Sequence, residues 1–204
     1  MVCGRRCSTT SEWVAQTVST GFRRKRDGSF AARFDAAEAG VLHTLFAELV
    51  AMLDDGEEGS STGATAEDPL AGIFTSYQQR SKPTDPATAR LLPDAYGEDA
   101  DAAAEFRRYT EGDLRAGKID AARTAGDSLG AGGRIELSEQ QAHAWLRVLN
   151  DLRLTLGTRL DVTEDHEEVF GPLAEDDPRK QAWYVYNWLS YLQESLVQAL
   201  ASRL

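Results

Sequence analysis

A chain of 204 residues with 42% apolar and 27% charged side chains has the make-up of one ordinary globular domain. Its longest apolar runs fall short of the roughly 18–20 residues of a membrane span, and no apolar stretch follows the N-terminal arginines as a secretory signal would require. A cytoplasmic location is the expectation. The net charge of −11 is uneven: residues 1–34 hold seven bases against two acids, and the other 170 hold 15 against 31. Phosphate binding is driven by cations that release counterions, so the acidic body argues against direct nucleic-acid binding.

Residues 1–20 read as a flexible tail, with only a short Trp13-Val14-Val18 apolar patch. Residues 21–204 read as a single mostly helical domain. Gly21 to Phe34 predicts a hairpin, with Asp27-Gly28 suited to a two-residue type I′ turn and Phe22, Phe30 and Phe34 supplying apolar contacts. Arg23, Arg24, Lys25 and Arg26 form a basic patch on it, which is either a solvated hairpin or the one place where nucleic acid could bind.

Asp35 and Glu38 have capping-box spacing and open a helix whose core face is Leu42, Leu45, Phe46, Leu49, Val50 and Leu53. Residues 56–67 lack large apolar side chains and are expected to be a mobile loop. Prolines then break 68–98 into short pieces pinned by Leu70, Ile73, Phe74, Leu91 and Leu92. Asp101 to Leu129 predicts one helix or two short ones, with a thin apolar stripe of Phe106, Tyr109, Leu114 and Ile119. Arg134 to Leu137 alternates like a short strand able to join the hairpin. Ser138 and Gln141 form a second capping box, and Trp145, Leu149, Leu152 and Leu156 share one face of the helix that follows, with Gly157 as its end.

An acidic loop from Asp161 to Asp177 leads to the last helix, where Pro178 suits the first turn. Ala182, Val185, Leu189, Leu192, Leu196 and Leu200 make an aliphatic stripe. Tyr184, Trp188 and Tyr191 lie nearly opposite and are either packed in the monomer or offered to a partner. The fold expected is mostly α (α+β): a helical bundle around a C-terminal helix, with a small antiparallel sheet made of the N-terminal hairpin and one later strand.

Recognisable catalytic apparatus is missing. The sequence has neither a Gly-x-Ser-x-Gly elbow nor a phosphate-binding loop. His43, His143 and His166 sit in separate segments, and the acidic cluster around His166 lacks the glycine and alternating spacing of a calcium loop. No catalytic residue, metal or cofactor is expected, and the function class is non-enzymatic. Cys3 and Cys7 are close enough to pair, and Arg5 and Arg6 between them would favour their thiolates. They are either a redox pair or two thiols that share an exposed tail.

Three stretches, Gly21–Leu53, Asn150–Leu160 (NDLRLTLGTRL) and Trp188–Val197 (WLSYLQESLV), with Arg90-Leu91-Leu92-Pro93-Asp94-Ala95-Tyr96, resemble the actinobacterial domain of unknown function number two thousand and seventeen. The resemblance runs from about residue 21 to 204. It implies a cytoplasmic protein typically encoded beside an adaptor of the ClpS type. It also implies that some members regulate the oxidative-stress response, sensing oxidants through an N-terminal cysteine pair and cooperating with an alternative sigma factor. Cys3 and Cys7 match that pattern in spacing. The expected function is therefore redox-responsive transcriptional regulation through protein partners, with a proteolysis-linked adaptor or structural interaction protein as the alternative. Oligomeric state stays open.

Overall fold

The computed structural model describes residues 20–54, 82–97, 99–163 and 165–202. Outside them lie the tail with Cys3 and Cys7, the 56–67 loop, the expected anchors Leu70, Ile73 and Phe74, and Glu164 of the acidic cluster. In chain order the elements are β1 (Thr20–Arg24), β2 (Phe30–Phe34), α1 (Ala36–Asp54), α2 (Pro86–Leu91), α3 (Ala100–Leu129), β3 (Gly133–Leu137), α4 (Glu139–Arg159), α5 (His166–Phe170) and α6 (Pro178–Ala201). The protein is mostly α with a small antiparallel sheet, in the order β1-β2-β3.

Local chemistry starts the helices. The Asp35 carboxylate accepts from the Glu38 N–H at 2.8 Å, and Glu38 reciprocates on the Asp35 N–H at 2.8 Å. Ser138 and Gln141 form the same reciprocal box ahead of α4. Asp177 caps α6, with Pro178 in its first turn. Each such cap satisfies backbone donors that the helix itself leaves open.

The hairpin turn differs from the expected two-residue type. Gly28 N–H donates to the Lys25 carbonyl at 3.1 Å, Lys25 N–H donates to the Ser29 carbonyl at 2.8 Å, and Gly28 has φ +83°. Arg26, Asp27 and Gly28 therefore form a three-residue loop with glycine in the left-handed position. Asp27 has a negative φ, and its carboxylate accepts from the Ser29 N–H (3.0 Å) and hydroxyl (2.6 Å).

α1 packs on α3, α3 on α4, and α4 on α6, while α2 also lies against α4. α6 carries β1 on one side and α4 on the other. By length and mean hydropathy (1.4) α1 could cross a bilayer, contrary to the expectation from apolar runs. Here Leu42, Phe46, Leu49 and Leu53 are its core stripe, as core helices pass the same test. α4 runs two residues past Gly157, which lies against the Tyr186 ring. Trp145 of α4 sits in the middle of the core, stacked on Phe34 and edge-on to Phe22 and Phe46.

The largest departure from expectation concerns α3. It is one 30-residue helix, yet Phe106, Tyr109 and Leu114 of the expected apolar stripe are exposed. The buried face is Ala103, Arg107, Glu111, Arg115, Ile119, Ala122 and Ala125. Charges can occupy such a face when each finds a partner.

Candidate functional site

Three groups of residues could carry function: the aromatic side of α6, the basic hairpin, and the buried charges of α3. The cysteine pair lies outside the described residues.

Tyr184, Trp188 and Tyr191 do not form one free strip. Tyr184 hydroxyl donates to the Glu175 carboxylate at 3.2 Å. Trp188 is partly buried against the core, edge-on to Phe34. Tyr191 is 47% exposed, and its hydroxyl accepts from the Gly21 N–H at 3.2 Å. One helical turn on, Ser195 Oγ accepts from the Phe22 N–H at 2.9 Å. Side chains of α6 thus satisfy backbone donors of β1, where the register with β2 is irregular between Thr20 and Arg23. Only glycine fits at position 21: a Cβ there would stand 2.6 Å from Ser195 Cβ. Gly21→Ala is expected to cost about 1–3 kcal/mol through overpacking. Urea unfolding of Gly21→Ala with and without Ser195→Gly would show coupling between the two positions.

The basic patch is divided. The Arg24 guanidinium lies 5.6 Å from the Phe30 ring centroid and donates to the Ser202 carbonyl at 3.1 Å. Lys25 bridges Asp27 at 3.1 Å and Glu136 of β3 at 3.0 Å. Arg23 and Arg26 are exposed. Hydrogen bonds from Ser29, then Lys25, lower the Asp27 carboxyl from 3.8 to about 2. Lys25 likewise holds Glu136 below its usual range. A depressed carboxyl pKa gives stability that is present above the unfolded value and lost as pH falls through the folded one. The turn should therefore hold above about pH 4 and loosen towards pH 2, which carboxyl chemical shifts of Asp27 and Glu136 would follow.

The α3 charges form a chain. Lys82 meets Asp94 at 2.8 Å, Asp94 accepts from Arg107, Arg107 meets Glu111 at 3.2 Å, and Arg115 donates to Glu111 at 2.8 Å. Arg115 also donates to the Leu53 carbonyl in the last turn of α1 at 2.7 Å. Arg107, Glu111 and Arg115 are 8%, 4% and 8% exposed. Lys82 first, then Arg107, holds the Asp94 carboxyl below its usual range. A cleft of about 60 Å³ opens beside the chain, lined by Leu92, Asp94, Phe106, Arg107, Glu111 and Leu114. Tyr96 packs edge-on to Phe106. The arrangement ties α1, α3 and the 92–96 segment together. Its sequence signal was the i, i+4 spacing of Arg107, Glu111 and Arg115, a pattern that also marks exposed helix faces.

His43 Nε2 lies 2.6 Å from the Gly130 carbonyl, and His143 is exposed on α4. Among the described residues no cluster of three or more His, Cys, Asp or Glu side chains could hold a metal ion.

Comparison with known proteins places the chain in a family. The chain is 36% identical over 218 aligned positions to the oxidative stress regulator AosR of Mycobacterium bovis, covering 98% of this chain and 97% of that protein. The protein of the same name from Mycobacterium tuberculosis matches equally. No solved structure matches the chain. The family model described as a domain of unknown function (DUF2017) matches residues 19–200, which takes in β1 and all of α6 but its last residue. The chain belongs to the DUF2017 family.

Proposed function

We propose that this protein is a non-enzymatic cytoplasmic regulator of the oxidative-stress response, which senses oxidant at Cys3 and Cys7 and acts on transcription through a protein partner such as an alternative sigma factor. The observation that supports this reading is its near full-length relation to proteins named oxidative stress regulators. The acidic body favours action through a protein over independent DNA binding.

In the sensing step one thiolate attacks hydrogen peroxide, giving a sulfenic acid and releasing hydroxide, which takes up a proton to become water. The second thiol displaces a further water from the sulfenic sulfur and closes the disulfide. Two thiol hydrogens are lost, two sulfurs are oxidised and one peroxide is reduced to two waters. Arg5 and Arg6 stabilise the thiolate form. A loop this short constrains little, so the bond is suited to reversible signalling and not to stapling the fold.

Intact mass and free-thiol counts before and after peroxide test the step. Loss of two hydrogens, absent in a Cys3→Ser/Cys7→Ser variant, is expected. Affinity capture under reducing and oxidising conditions should then return different amounts of a sigma factor. An unchanged mass after peroxide would refute sensing at this pair, and equal capture in both states would refute its coupling to a partner.

A further inference from the structure

Sheet register brings together charges that the sequence keeps apart. On the face turned from the core, Arg33 of β2 stands opposite Arg134 of β3 on one side and Thr20 of β1 on the other. Arg23 of β1 lies opposite Ala31, diagonally next to Arg33. Arg23 and Arg33 are exposed, and the Arg134 side chain is 54% exposed. Like charges placed directly opposite across a strand pair are destabilising.

Nearby acids do not relieve the repulsion. Glu136, on the same face, is shared by Lys25 at 3.0 Å and Arg134 at 3.3 Å, and Asp27 is taken by Lys25. Among the described residues Arg23, Arg26 and Arg33 have no ion-pair partner. Five cations (Arg23, Lys25, Arg26, Arg33, Arg134) thus meet two carboxylates, on a protein whose remaining surface is strongly acidic.

We infer that this arginine face binds a short Asp- or Glu-rich segment of a partner protein. Arginine forks recognise carboxylates bidentately, and an anion above Arg33 and Arg134 would turn their repulsion into joint attraction. Three strands about 4.8 Å apart give a footprint of roughly 10 Å. Alternate carboxylates of an extended peptide, about 7 Å apart, match that scale. A nucleic-acid duplex carries a charge about every 1.7 Å along its whole length, and beyond the footprint it would meet the acidic body within a screening length of about 8 Å. The inference concerns a surface in the folded domain and stands whether or not the cysteine pair senses oxidant.

Fluorescence anisotropy on the full chain tests it, with a labelled decapeptide of alternating Glu and Ser as probe at about 50 mM salt and a duplex of about 20 base pairs as competitor. Arg33→Ser/Arg134→Ser should weaken peptide binding about tenfold or more. Its thermal midpoint should not fall below that of the parent, because a repulsive pair has been removed. Arg108→Ser/Arg123→Ser removes the same charge from exposed positions on α3 and should change binding less than about twofold. No peptide binding at low salt, equal loss in the two variants, or tighter binding of the duplex than of the peptide would each overturn the inference.

Discussion

Replacing Glu111 by Gln should destabilise the fold by about 3–5 kcal/mol, because it removes the one carboxylate that two buried guanidinium groups share. Glu111 lies between Arg107 and Arg115 on the buried face of α3, and neither arginine can reach water without leaving its packing. Asp94 still neutralises Arg107, but Arg115 keeps only the Leu53 carbonyl. The uncompensated charge carries most of the cost. Replacing the whole group, as Arg107→Met/Glu111→Leu/Arg115→Met, should return stability to within about 1 kcal/mol of the parent, since apolar side chains of similar volume can replace a buried ion group without net loss. Denaturant unfolding measures both. If Glu111→Gln cost less than about 1 kcal/mol, the chain of charges would be solvated and not part of the core.

A comparable loss is expected at Trp145. Its side chain is fully buried, touches three phenylalanines from β1, β2 and α1, and donates its indole N–H to Ser128 Oγ of α3 at 2.8 Å. Trp145→Ala should cost about 3–5 kcal/mol, through lost burial and a cavity the rigid neighbours cannot close. Because the ring joins the sheet to three helices, the variant should also lose the near-ultraviolet dichroism of the aromatic cluster. Trp145→Phe should cost less, retaining most ring contacts but leaving Ser128 without this donor. Guanidinium unfolding of both variants checks the order, and an equal cost for Ala and Phe would locate the effect in the hydrogen bond.

The two predictions rest on residues of different legibility. Trp145 stood on an apolar face with Leu149 and Leu152, and the helical period was enough to place it inside. Glu111 carried no such sign. Its partners are an arginine on either side, and those arginines reach residues 13 and 62 positions away. Periodicity weighs apolar side chains, so it took Phe106, Tyr109 and Leu114 for the inner stripe of α3, and those three are exposed.

The candidate interaction surface follows the same division. Arg23 to Arg26 were conspicuous as a run, but a strand sends neighbours to opposite faces, so Arg24 turns to Phe30 while Arg23 faces solvent. Arg33 and Arg134 became neighbours only when β3 paired with β2.

What the sequence determined by itself therefore depends on groups within about one helical turn or one hairpin, although the three-residue hairpin loop and the end of α4 beyond Gly157 were not among it. The two capping boxes, the Pro178 start of α6, the apolar faces of α1 and α4 and the β3 alternation all need only local partners. Tertiary structure decided the rest: which face of α3 is buried, that Gly21 must make room for Ser195, and that arginines a hundred residues apart share one face. Burial of a charge and repulsion between charges depend on what lies across the gap, and only the packed chain supplies that.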